Sequence, residues 1–317
     1  MNLTEFYRFV IEEGISRDPR GVERVKLDMK RRKEEFEKLD EAKKHEFDQE
    51  TLFNPYSDTR ILNDSGAEIK SILVGIDIET PELLLADRLR SREKNINLAL
   101  AHHPEGRAYA NFYGVMGMQA DILNKYGVPI NIAEDLLEKR IKEVSRKVMP
   151  INHFRAADAA RLLDISFICV HTPSDNFVAT YLQELVDEKK PERVEDAIEL
   201  LKQIPEYREA ILRGNAPKVV VGSESRRAGK VFVDMTGGTE GSVEALEKLS
   251  LSGIGTIVGM HMSDKHYENA EKVHINVIIA GHMASDTLGL NLILDRAIKK
   301  FGSLNIIPCS GFYRVER

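Results

Sequence analysis

Two histidines stand side by side at His102-His103, closed by Pro104, at the end of the apolar run from Ile96 to Ala101. Two more places pair an imidazole with a carboxylate four residues on. These are His171…Asp175 in His171-Thr172-Pro173-Ser174-Asp175 and His282…Asp286 in Gly281-His282-Met283-Ala284-Ser285-Asp286. Imidazoles and carboxylates together suit Zn, Fe, Mn, Co or Ni and match calcium poorly. The six candidate donors suffice for two ions with positions left open for water, and the chemistry such ions supply is activation of water. Adjacent side chains on a strand point to opposite faces. Either the strand therefore breaks at His103, where Pro104 and Gly106 favour a turn, or each histidine serves a different ion.

Elements that could deliver these residues are legible around them. Ser71–Ile76 reads as a buried strand, with Thr80 an N-cap and Pro81 the first position of a helix facing the core through Leu83, Leu84, Leu85 and Leu89. The strand ending at His102-His103 completes a βαβ unit, so the two strands should be parallel. A helix with Ala156, Ala157, Ala160, Leu162 and Leu163 leads into the strand Ile165–Val170, which ends at His171; strand Ile275–Ile279 ends just before His282. The helix after His282 buries Leu290, Ile293, Leu294 and Ala297 and closes with Lys299, Lys300 and Gly302. If it starts at His282, the i,i+4 spacing puts His282 and Asp286 on one face. Ligands of open α/β sheets gather at the carboxyl ends of strands, which is where all three motifs lie.

Between these motifs, residues 129–146 read as a strand opening Pro129-Ile130-Asn131-Ile132 followed by a helix, and 177–215 as two helical stretches parted at Lys189-Lys190-Pro191. Lys218–Gly222 and Lys230–Asp234 read as strands with an exposed turn between them, and Ile306–Pro308 as the last strand. Gly237-Gly238-Thr239-Glu240-Gly241-Ser242 opens a helix, either as a tight turn or as a phosphate seat without a P-loop lysine. His261 and His266, with Asp264, follow another strand and are expected to back the ligands, face a substrate or lie on the surface; His45 and His153 are expected on the surface. Residues 1–50 are helical and dense in charge. Val22, Val25, Met29, Phe36 and Leu39 keep a heptad-like spacing interrupted by Arg32, which predicts a helical arm lying on the core or on a neighbouring subunit.

The 317 residues, 30% charged and 42% apolar, have room for two lobes. A net charge of −6, with Lys and Arg spread evenly, argues against a nucleic-acid partner. Two cysteines, Cys169 and Cys309, sit in apolar surroundings and read as reduced thiols. No run approaches the roughly 18 apolar residues of a membrane span, and the N-terminus lacks a basic leader. A cytoplasmic protein without a membrane partner is expected.

The motifs, in this order, resemble the Nif-three-like family, a dinuclear-metal family whose members often go by the name GTP cyclohydrolase 1 type 2. Leu73–Thr80 is similar to its strand, LD-T turn and helix, His102-His103-Pro104 to its HHP motif, His171–Asp175 to its H-T-x-x-D motif and Gly281–Asp286 to its G-H-x-x-[ST]-E motif. The likeness runs from about residue 57 to the C-terminus. It implies an α/β fold of two intertwined lobes, lobe one about 57–180, a helical connection about 181–216 and lobe two about 217–317, after a helical N-terminal arm over 1–56. It implies that His102, His103, Asp175, His282 and Asp286 hold two divalent ions, with His171 beside them, in a ring-shaped homohexamer. Two departures stand out. The last motif ends in Asp286 where the family has glutamate, and a family Thr-Gly-Glu segment is replaced by Val258-Gly259-Met260 followed by His261. The function expected is a dinuclear-metal-dependent hydrolase in which metal-bound hydroxide attacks a nucleotide or similar small substrate, with His171 or His261 as the catalytic group that moves the proton. The alternative is a non-catalytic metal carrier or regulator with protein partners.

Overall fold

The computed structural model describes residues 1–92 and 94–317. Nine short strands form two mixed sheets. The first contains β1 (Arg60–Asn63), β2 (Ser71–Gly75), β3 (Leu98–Ala101), β4 (Ser166–Cys169) and, from the far end of the chain, β9 (Asn305–Pro308). Their order is β1-β4-β3-β2-β9, with only β1 antiparallel to its neighbour. The second contains β5 (Lys218–Val221), β6 (Lys230–Asp234), β7 (Ile254–Gly259) and β8 (Asn276–Ile279), in the order β5-β8-β7-β6, with only β5 antiparallel. β2, β3 and β4 are buried at every position, the mark of parallel strands covered on both faces.

The sheets repeat one plan. In each, an antiparallel edge strand lies beside the parallel strand that leads into a His…Asp helix: β1 beside β4, then the helix Thr172–Lys189; β5 beside β8, then the helix His282–Phe301. Two residues ahead of each such strand the backbone takes a left-handed turn, at Asp164 (φ 52°) and His274 (φ 61°). The two long helices pack on each other at Gly289, where a Cβ would come within 2.5 Å of the Ser174 carbonyl oxygen.

Several sequence expectations change. Residues 129–146 hold no strand: Ile130–Val148 is one helix, with Ala133, Leu137, Val144 and Val148 buried at helical spacing. The helix after β2 is capped one residue earlier, by Glu79, and buries Leu83 and Ala86 while Leu84 and Leu85 are exposed. Its core stripe is narrow because Leu83, Leu84 and Leu85 point about 100° apart around the axis. Residues 172–212 carry three helices, because Pro205 starts a new one after Lys202. β5 and β6 are opposite edges of the second sheet, and β9 joins the first sheet beside β2 instead of closing lobe two. The first helix, Leu3–Ser16, is core: a capping box between Asn2 and Glu5 starts it, and Leu3, Phe6, Tyr7, Val10 and Ile11 are buried. The arm character is left to Val22–Glu37, where Val25 alone is buried. His45 is exposed, whereas His153 is buried, edge-on to Tyr109 and bonded to the Val148 carbonyl.

Candidate metal centre

β3 ends at Ala101 and the backbone turns at once. The His102 amide still donates to the Gly75 carbonyl at 3.0 Å but is shared with the Ile76 carbonyl at 3.1 Å, to which the His103 amide also donates at 2.9 Å. Successive amides of a regular strand point to opposite sides, so the acceptor shared by His102 and His103 shows that the strand breaks between them. The break brings both rings to one side, 5.3 Å apart by centroid. His171 follows β4 and lies 4.9 Å from His102; His282, delivered by Gly281 at φ 111°, lies 5.2 Å from His103. Residues 282 and 286 share a helix face, and Asp286 is fully buried.

Three histidines are held in the same way. His102 Nδ1–H donates to the Val170 carbonyl at 3.1 Å, His103 Nδ1–H to Asp77 at 2.6 Å and His171 Nδ1–H to Asp58 at 2.8 Å. Each partner is acceptor-only, so Nδ1 keeps a proton and Nε2 is the nitrogen left to serve as a metal ligand once it gives up its own. Asp58 also accepts from the Thr172 hydroxyl at 2.6 Å, and Thr59 receives the His171 amide.

The ligand atoms converge. His102 Nε2 lies 3.4 Å from Asp175 Oδ1 and 3.4 Å from Asp286 Oδ1; Asp286 Oδ2 lies 3.6 Å from His103 Nε2 and 3.4 Å from His282 Nε2. The shorter Asp286 thus still spans all three imidazoles. His102 Nε2, Asp175 Oδ1 and both oxygens of Asp286 are buried without a hydrogen-bond partner. Such atoms cost about 1–3 kcal/mol each when left unpaired, and a cation would relieve all four. Two groups, His102–His171–Asp175 and His102–His103–Asp286, have donor atoms within 4.8 Å of one another. The donor set fits a metal centre.

Electrostatics point the same way. Burial disfavours the charged form of His102, but Asp286 and Asp175 outweigh it and push its pKa up to about 10. Against the same penalty, Asp286 and Asp77 raise His103 to about 8. Asp286, which burial would neutralise, is held well below the usual carboxylate range by His102, His103 and His282. The pocket is built to hold cations.

His261 joins this cavity, 5.0 Å from the His282 ring, with its Nδ1 3.6 Å from Glu240. His266 is buried behind it, bonded to Ser263 and 3.5 Å from Glu240. The glycine-rich stretch lines the cavity, but the Gln119 amide caps the carbonyls of Gly237 and Thr239, and the helix starts only at Ala245. With Glu240 in its midst it is a turn that presents a carboxylate and offers phosphate no seat. Asp58, Asp77, Asp234 and Glu240 were not singled out as site residues by sequence. Asp77 carried a signal, being a carboxylate at the end of a buried strand; Asp58 lay in a stretch that reads as plain turn chemistry. The thiols of Cys169 and Cys309 are free.

Among solved structures, the chain is similar to a NIF3 superfamily protein from Sphaerobacter thermophilus. The match has 28% identity and a TM-score of 0.69, and covers 80% of this chain and 91% of that one. It is also similar to reduced HcgD from Methanocaldococcus jannaschii, at 15% identity and a TM-score of 0.49, covering 79% and 87%. No family model matches the chain, and no curated protein does. The first of these likenesses, together with the two α/β sheets and the ordered motifs, supports a Nif3-like family for the chain. Among the described residues no helix is long and apolar enough to cross a membrane.

Proposed function

We propose that this protein is a dinuclear-metal-dependent hydrolase acting on a nucleotide or similar small substrate. His102, His103, Asp175, His282 and Asp286 would hold two divalent ions among Zn, Fe, Mn, Co and Ni. One observation carries the reading: His102 Nε2, Asp175 Oδ1 and both Asp286 oxygens are buried without hydrogen-bond partners and lie together, beside histidines whose Nδ1 atoms are already committed. Divalent ions bound there would supply a Lewis acid for the substrate and acidify water. His171, oriented by Asp58, or His261, paired with Glu240, would accept and return the proton.

Metal-loaded protein should turn over at least one member of a panel of nucleotides, esters, amides and phosphoesters, and His103→Ala should abolish that turnover with the fold intact by circular dichroism. Tight metal binding with no turnover across the panel would favour the second reading, a metal carrier or regulator. The same burial that makes a reaction site also makes a secure store, which is what favours that alternative. A cytoplasmic homohexamer is part of the proposal by family resemblance, and the mass in solution by light scattering decides the hexamer.

A further inference from the structure

The cavity has a second wall that water activation does not use. Asp234 ends β6 and Glu240 follows in the next loop; Met235, Met260, Met262 and Ile257 line the same cavity. Glu240 is held by the Ser263 amide at 2.6 Å and faces His261 and His266. Asp234 is open to the cavity at the end of β6, the surrounding protein and Glu240 push its pKa up to about 6, and its carboxyl accepts no hydrogen bond from any described residue. Among the described residues no lysine or arginine lines the cavity. Arg140 is committed to the Glu240 carbonyl and the Glu143 carboxylate.

We propose that this wall selects a compact nitrogenous ligand, a flat apolar body carrying amino or amidino N–H groups, neutral or cationic, and turns polyphosphates away. The selection deepens the hydrolase reading and rests on its view of the cavity as a substrate site. Carboxylates are acceptor-only, so a free Asp234 is satisfied by an N–H donor and repels an anion. Three thioethers give a polarisable surface that moulds to a flat ring. Ions at the ligand group would accommodate one oxygen-bearing end of a substrate. A triphosphate would still lay its remaining charges beside Asp234 and Glu240, where His261 and His266 already face Glu240 and no described lysine or arginine lines the cavity to meet them.

Titration calorimetry on the full chain, metal-loaded and chelator-treated, tests this with three probes: benzamidine, its anionic counterpart benzoate, and GTP. Benzamidine should bind both forms and benzoate should not bind the chelator-treated one. Asp234→Asn should weaken benzamidine by about tenfold or more, the loss of one charge-assisted hydrogen bond, and Asp234→Lys should exchange the preference to benzoate. Asp234 is exposed and unpartnered, so both variants should fold. No benzamidine binding, binding indifferent to Asp234, or GTP held at least as tightly as benzamidine would each overturn the proposal. Absent turnover with benzamidine selectivity intact would sink the hydrolase reading alone; turnover without that selectivity would sink the wall.

Discussion

At the scale of single residues, the site depends on which nitrogen of each histidine is already occupied. Val170, Asp77 and Asp58 each take an Nδ1 proton, and that common device aims three rings without help from the ligands they would hold. The opposite wall has its own charge balance. Burial disfavours the Glu240 carboxylate, but His261, His266 and the Ser263 amide outweigh it and hold its pKa down to about 2, against an ordinary 4.5. A depressed carboxylate stabilises the fold above its unfolded pKa and loses that contribution as pH falls toward the folded value. The difference in urea midpoint between the wild type and Glu240→Gln, on metal-free protein, should therefore be full at pH 6 and vanish between about pH 4.5 and 2, a change of about 1–2 kcal/mol. A difference that stays flat through that window would show that the carboxylate is not held by its imidazoles.

At the scale of elements, two helices and their crossing set the distance between Asp175 and Asp286. Gly289 lies against the backbone oxygen of Ser174, one residue from Asp175 and three from Asp286. A Cβ there meets backbone, which cannot rotate aside. Gly289→Ala should cost about 1–3 kcal/mol by overpacking and lower metal content together with stability. Unchanged melting and full metal content by elemental analysis would mean that the crossing tolerates a wider gap. The sequence showed both helices and their His…Asp starts. It did not show that they touch, because the contact joins residues 115 positions apart (289 − 174) and leaves no periodic trace.

At the scale of the whole molecule, both ends of the chain are built into the first sheet's side of the structure. β9 pairs with β2, and the helix Leu3–Ser16 packs on both long helices behind the ligand group. Phe6→Ala, at a site with no exposure, should cost about 3–5 kcal/mol, whereas the same change at Phe36 on the charged helix should cost far less. Equal urea midpoints for the two variants would return the first helix to the arm. Nothing in the heptad-like stripe marked this division, since Val22–Leu39 keeps the apolar spacing and Leu3–Ile11 does the burying.

The sequence by itself determined the donor types, their places at the ends of buried strands, the α/β class and, through motif order, the resemblance to the Nif3-like family. Those are local properties, written in residue type, in periods of two or 3.6, and in caps within a few positions of each other. Tertiary structure alone decided the rest: which carboxylates orient the histidines, that His261 and Glu240 face the ligand group, that among the described residues no lysine or arginine lines the cavity's far wall, and that the chain's ends belong to the core. Each is a pairing between segments from about 20 to more than 200 residues apart, fixed by how two sheets and two crossing helices pack, and packing of that range has no signature in a local window.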